Sequence, residues 1–160
     1  MTDMPFADSD DLLQSLYNNE NGTGLSVREI FRLLGETEFR KLEIRALREL
    51  FSGNSRKIIA LGGGVLSNPF LTDADRNAFG FLCCLDVNDA LAYERIQANG
   101  LPPFLQEKAD PFASFCEMNR SRREIFRKQA DFIVVIGDGT DTTPEITAGK
   151  ILAAYKEKLK

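Results

Sequence analysis

The apolar positions of this chain switch between two periods. "ETEFRKLEIRALRELF" (36–51) sets Phe39, Leu42, Ala46, Leu47 and Leu50 on one face, at the three-and-four spacing of an amphipathic helix. "KIIAL" (57–61), "FGFLCCL" (79–85) and "DFIVVIG" (131–137) are short unbroken apolar runs, the pattern of strands covered on both faces. "DDLLQSLY" (10–17) predicts a short helix after Asp8-Ser9, and "NNENGTG" (18–24) a polar loop. Ser26 opens a helix, with Glu29 three residues on as a capping box. Asp86 closes the second apolar run and is placed to cap a helix reaching Gln97, after which "NGLPPFL" (99–105) reads as loop. Asp110-Pro111 supplies a cap and a first-turn proline, and Thr143-Pro144-Glu145 opens a C-terminal helix. With "MPFA" (4–7) as a further short strand, strands and helices alternate through one domain, 1–160. That order predicts an α/β fold, a parallel sheet with helices on both faces. Ligands of such sheets sit at the carboxyl ends of the strands. Asp8, Asp10, the glycines Gly62, Gly63 and Gly64, and the loop after Ile136 all fall there.

Composition narrows the chemistry. The 160 residues are 43% hydrophobic and 28% charged, with a net charge of −4, which argues against a nucleic-acid or membrane surface. No apolar run approaches the roughly 20 residues of a membrane span. The start, Met1-Thr-Asp-Met-Pro, has no signal-peptide core, so the cytoplasm is the expected compartment. Three cysteines, Cys83 and Cys84 adjacent, form neither a disulfide framework nor a zinc spacing. The chain has no histidine, which excludes Ser-His and Cys-His nucleophiles and histidine-ligated metals. Any catalysis falls to carboxylates, arginines, lysines and backbone amides.

The glycine triplet after "KIIAL" admits more than one reading. It can be a turn. It is not a dinucleotide fingerprint, whose G-x-G-x-x-G spacing is absent, nor a phosphate loop, because no lysine is followed by Ser or Thr. Bare backbone also allows close approach of a small polar ligand to amides. Asp8-Ser9-Asp10 sets two carboxylates two residues apart, or caps a helix. Arg40 and Glu43, spaced i, i+3, let an acid hold a guanidinium, or form a solvated pair. "RSRREIFRK" (120–128) can be a charged helix surface.

Taken together and in order, "PFADSDDLL", "SVREIF", "EFRKLE", "ALGGGVL" and "IFRKQADFIV" resemble shikimate kinase from about residue 4 to the end. The resemblance implies a P-loop kinase-like α/β fold and transfer of the ATP γ-phosphoryl to the 3-hydroxyl of shikimate, a step toward the aromatic amino acids, with Mg2+. It implies that Asp10 grips the reacting hydroxyl and is the candidate base, and that Asp8 helps hold Mg2+. Arg40 and Arg127 would bind the shikimate carboxylate, a pairing the guanidinium fork suits. Glu43 would orient Arg40, Gly62, Gly63 and Gly64 would lie beside the substrate, and Phe31 and Phe39 would lie near its ring.

The chain departs from the family pattern in two places. About 30 residues carrying the first, central strand and the G-x-x-x-x-G-K-[ST] loop are expected to be missing ahead of "PFADSD", so no nucleotide-binding residue is assigned. The sheet order of the family would then leave the strands near 4–7 and 57–61 on one side of a gap and those near 79–85 and 132–136 on the other, with two unpaired edges between them. In the lid region, about 99–118, Pro102 stands where the family carries an arginine, with Arg95, Arg120, Arg122 and Arg123 as possible substitutes. The alternative to a kinase is a non-catalytic shikimate-binding or regulatory relative. The expected partner is shikimate alone, on a monomer or a chain whose sheet a second chain completes.

Overall fold

The computed structural model describes residues 3–52, 56–137 and 143–159. They fall into two compact units, Met1–Phe79 and Gly80–Lys160.

The first unit begins with β1 (Phe6–Asp8), α1 (Ser9–Asn21) and α2 (Val27–Phe51), followed by β2 (Ile58–Ala60), a 3-10 turn (Val65–Ser67) and α3 (Asp73–Ala78). β1 and β2 pair in parallel, Phe6 opposite Ile58 and Asp8 opposite Ala60. The helix expected over 10–17 continues to Asn21, where Gly22 closes it in the left-handed conformation (φ 64°). The Asn21 side chain also donates to the Tyr17 carbonyl across that last turn, so four residues assigned to the loop are helical. Ser26 and Glu29 form the expected capping box. Gly35 interrupts α2 with φ 71° and ψ 173°, so its two halves are the separate helices read from the sequence. The core of this unit forms where α1 meets α2: Leu13, Ile30, Phe39, Leu42 and Ala46 pack together with almost no exposure. α3, which the apolar pattern gave no hint of, is nucleated by a second capping box, Thr72 with Asp75.

The second unit contains β3 (Cys83–Val87), α4 (Asp89–Ala98), α5 (Pro103–Gln106), α6 (Pro111–Gln129), β4 (Phe132–Ile136) and α7 (Pro144–Lys158). β3 and β4 are parallel, with Asp86 opposite Val135. Both strand pairings are those expected from the family's sheet order. Two local expectations are corrected. The apolar run 79–85 does not form the strand as read: Phe79 caps α3 and pairing begins at Cys83. Asp86 therefore lies inside the strand, and Asn88 caps α4 through the Ala90 amide. The "NGLPPFL" loop contains the one-turn helix α5. Asp110 and Thr143 cap α6 and α7 as the sequence predicts, each followed by a first-turn proline. The loop after Ile136, expected at the ligand edge, leaves the described residues beyond Gly137. Among the described residues no helix is long and apolar enough to cross a membrane.

Candidate acid-binding site

In the first unit, the carboxyl ends of β1 and β2 carry the expected residues. Asp8 ends β1, and its carboxylate accepts from the Asp10 amide at 2.8 Å, capping α1. Ser9, buried, accepts from the Gly62 amide at 2.8 Å and ties the glycine loop to the start of α1. This bond holds Asp10 and Gly62 together. A Cβ at Gly62 would stand 2.6 Å from Asp10 Oδ1, nearer than real side chains come.

Gly64, the third glycine, is built on the same logic. A Cβ there would overlap the Arg40 guanidinium, 2.9 Å from its Cζ. The bodies that come close to this bare backbone are thus the chain's own Asp10 and Arg40. Gly63, between them, is exposed, while Gly64 is buried.

Arg40 is held from the other side. Its Nη1 donates to both oxygens of Glu43, at 3.0 and 3.2 Å. Glu43 is 5% exposed although charged, a burial carboxylates tolerate only when paired. Asn68 completes the cluster. Its amide donates to Glu43 Oε2 and to the Arg40 carbonyl, both at 2.8 Å, while its own carbonyl accepts from the Phe70 amide. Phe39 lies in the core with Phe31 against it edge-on, ring centroids 5.1 Å apart. The Arg40 Cζ stands 6.0 Å from the Phe39 ring centre. Burial pushes the Asp10 carboxyl above the ordinary aspartate range, with the charges of Asp8, Glu43 and Asp11 adding to the effect and Arg40 opposing it. A carboxyl so poised is a better proton acceptor than an exposed one.

Ser9 and Asn68 were not identified from the sequence. Both act across long stretches of chain, 53 and 25–28 residues from their partners, and no local pattern marks them.

The last two sequence candidates, Arg127 and Pro102, lie in the second unit. Arg127 on α6 donates through Nη2 to Asp86 Oδ2. Arg123, one turn earlier, grips Asp86 Oδ1 at 2.8 Å and Asp89 at 2.7 Å, and donates to the Val87 carbonyl. That engagement leaves Arg123 poorly placed as a substitute for a lid arginine. Pro102 precedes α5 and offers only its carbonyl, to the Leu105 and Gln106 amides.

The parallel strand pairs with their covering helices place the chain in the α/β class, with a held guanidinium and a half-buried aspartate set beside the glycines at the strand ends. Comparison with known proteins is more specific. The family model "Shikimate kinase" matches residues 1–156. The shikimate kinase of Thermodesulfovibrio yellowstonii is 30% identical over 154 residues, covering 94% of this chain and 80% of that protein. That of Synechococcus elongatus is 32% identical over 155 residues, covering 97% and 75%. The solved shikimate kinase of Aquifex aeolicus superposes with a TM-score of 0.72 at 28% identity, over 98% of this chain and 83% of that one. The Acinetobacter baumannii shikimate kinase, solved in complex with shikimate, gives 0.75 at 22% identity, a likeness of fold, over 98% and 82%. This chain belongs to the shikimate kinase family. It is accordingly kinase-like in function, of a family that uses ATP and Mg2+.

Proposed function

We propose that this chain, acting over 1–160 as one kinase-like domain, binds shikimate and serves its phosphorylation at the 3-hydroxyl. The observation that carries the reading is the Arg40–Glu43–Asn68 cluster set against Gly64, with Asp10 set against Gly62. A buried acid and amide fix the guanidinium in advance, so a carboxylate meets a donor fork that is already oriented. Asp10, with its raised proton affinity, is assigned to the reacting hydroxyl. Arg127 is assigned to the shikimate carboxylate by its place in "IFRKQADFIV". Gly63 is assigned to substrate contact by its backbone, and Phe31 and Phe39 to the neighbourhood of the shikimate ring.

ATP with Mg2+ supplies the phosphoryl group in this family. Among the described residues none is assigned to the nucleotide. No lysine in the sequence precedes a Ser or Thr, and Asp8, the residue assigned to Mg2+ by the resemblance, caps α1 through Oδ1. Among the described residues no cluster of three potential ligands could hold a metal ion. These residues supply the acid-binding part of the chemistry, and no step is derived through the nucleotide. The second reading, a shikimate binder without kinase activity, is favoured by Pro102, which has no donor to offer a phosphate.

Calorimetry of the purified chain with shikimate and with ATP, alongside a coupled assay for ADP release, separates the outcomes. Shikimate binding with shikimate-dependent ADP release supports the kinase. Shikimate binding without ADP release supports the binder. ATP binding with no response to shikimate overturns both.

A further inference from the structure

Asp86 is an anomaly for a strand residue. It is 8% exposed, lies within β3, and carries a charge. Each of its oxygens is taken by a different arginine of α6, Oδ1 by Arg123 and Oδ2 by Arg127. Arg123 is fixed in turn by Asp89 and by the Val87 carbonyl, and Asp89 accepts from Asn119 at 2.5 Å. A chain of bonds thus runs from Asn119 through Asp89, Arg123 and Asp86 to Arg127. Its far end differs from the rest: the Arg127 side chain is 54% exposed, against 25% for Arg123. The exposed guanidinium lines a cavity of about 450 Å3 at the carboxyl ends of β3 and β4, together with Asp86, Asn88 and Gly137.

We propose that Asp86 is the positioning residue of Arg127: held by Arg123, it fixes one nitrogen of the Arg127 guanidinium at the cavity wall and turns the remaining donors outward to take a carboxylate. The arrangement parallels that of Arg40 on Glu43, where a nearly buried acid also holds an arginine by one nitrogen. The inference rests on the assignment of Arg127 to shikimate made above. Asp86 itself touches no ligand in this reading. Its effect is to spare the ligand the ordering of a long, rotamer-rich side chain.

A double-mutant cycle on the full chain tests this, with shikimate affinity read by calorimetry for Asp86→Asn, Arg127→Ala and the pair. Each single substitution is expected to weaken binding at least fivefold, and the pair to be no weaker than Arg127→Ala alone. In nitrogen-resolved NMR spectra, the Arg127 side-chain Nε–H signal is expected to move on shikimate addition in the parent chain and to stay still in Asp86→Asn. Unchanged affinity in Asp86→Asn beside a weakened Arg127→Ala overturns the positioning role alone. So does a double variant whose loss is the product of the single losses. Unchanged affinity in Arg127→Ala removes the assignment of Arg127, and the inference with it. Should Asp86→Asn fail to fold, the same cycle is run with Asp86→Glu, whose longer stem displaces the guanidinium. No loss, or a loss additive with that of Arg127→Ala, then overturns the proposal.

Discussion

Gly64→Ala is the sharpest perturbation of the proposed acid-binding cluster, because the three nearest atoms that its Cβ would meet all belong to Arg40. The backbone at Gly64 has φ −100° and ψ −15°, a conformation alanine adopts without strain. The added methyl would lie 2.9 Å from Arg40 Cζ and 3.0 Å from Nη2, so the far end of the arginine has to move. Moving it breaks the two Nη1 bonds to Glu43. Hydrogen bonds to charged groups contribute about 1.5–3 kcal/mol, here toward the low end because Asn68 still serves Glu43. Replacing glycine where alanine fits returns about 0.4–1 kcal/mol through the unfolded chain. Net stability should therefore fall by only about 1 kcal/mol, a melting shift of roughly 2–4 °C for a chain of this size. Shikimate affinity, which depends on where the guanidinium lies, should fall about 10- to 100-fold, since each 1.4 kcal/mol or so is a factor of ten. Urea unfolding and calorimetry on the same samples give the two numbers. Gly24→Ala, whose Cβ would meet nothing within 4 Å, is the silent control. Intact affinity in Gly64→Ala would refute the assignment of Arg40. A stability loss several times larger, with proportionate loss of binding, would mean that the glycine serves folding rather than arginine placement.

Asp10→Asn should weaken shikimate binding and stabilise the chain at pH 7. Because burial raises the Asp10 pKa in the folded state, its favourable contribution holds at low pH and is lost as pH rises through the raised value; the variant's advantage in urea midpoint should thus vanish below about pH 3.8, the ordinary aspartate value. Asp75 has the opposite sign: the Arg48 guanidinium, bound at 2.7 and 2.9 Å, holds its carboxyl well below the usual range. Its stabilisation is present above the ordinary value and lost as pH falls, so the urea-midpoint gap between the parent and Asp75→Asn should be widest near pH 7 and narrow below about pH 4; a gap constant from pH 7 to 3 would refute the ion pair. Asn68→Ala removes two bonds inside a buried cluster and should cost about 2–3 kcal/mol in urea unfolding, with a matching loss of shikimate affinity.

Much of the fold could be read along the chain because its elements carry local signals. The caps at Ser26, Asp110 and Thr143 each sit where a side-chain oxygen meets an amide two or three residues on, and such signals survive any tertiary setting. The strand at 79–85 was misplaced for the complementary reason. Phe79, Phe81 and Leu82 are as apolar as the strand itself, and pairing begins two residues after Phe81 because β4, beginning at Phe132, sets the register opposite Cys83. Asp86 reads as a cap by residue type. It lies instead in the strand because two arginines, 37 and 41 residues later, satisfy its charge there. Arg40, Glu43 and the glycines, each open to a plainer reading alone, were grouped through the resemblance to shikimate kinase. What the spacing did not reveal is that Gly62 and Gly64 make room for side chains of the same chain.

Holding an arginine by a buried acid has a physical cost that bears on the proposed binding of a carboxylate. An acid beside a guanidinium offsets part of the positive charge that draws a carboxylate in, so Glu43 and Asp86 each weaken long-range attraction. They also remove the alternative rotamers of a stem whose freedom is worth about 2 kcal/mol. For a doubly oxygenated ligand the second effect outweighs the first, because two parallel bonds form only if both donors already point the right way. The cluster around Arg40 limits the electrostatic loss by spreading it: Asn68, a neutral donor, takes part of the charge of Glu43. Asp86 has a second cation instead, and Asp89 balances that cation. Both solutions leave one arginine oriented and partly exposed, at 18% for the Arg40 side chain and 54% for that of Arg127. The deeper of the two has less water left to lose on pairing and sits in a lower effective dielectric, and so the larger share of shikimate affinity should reside in Arg40.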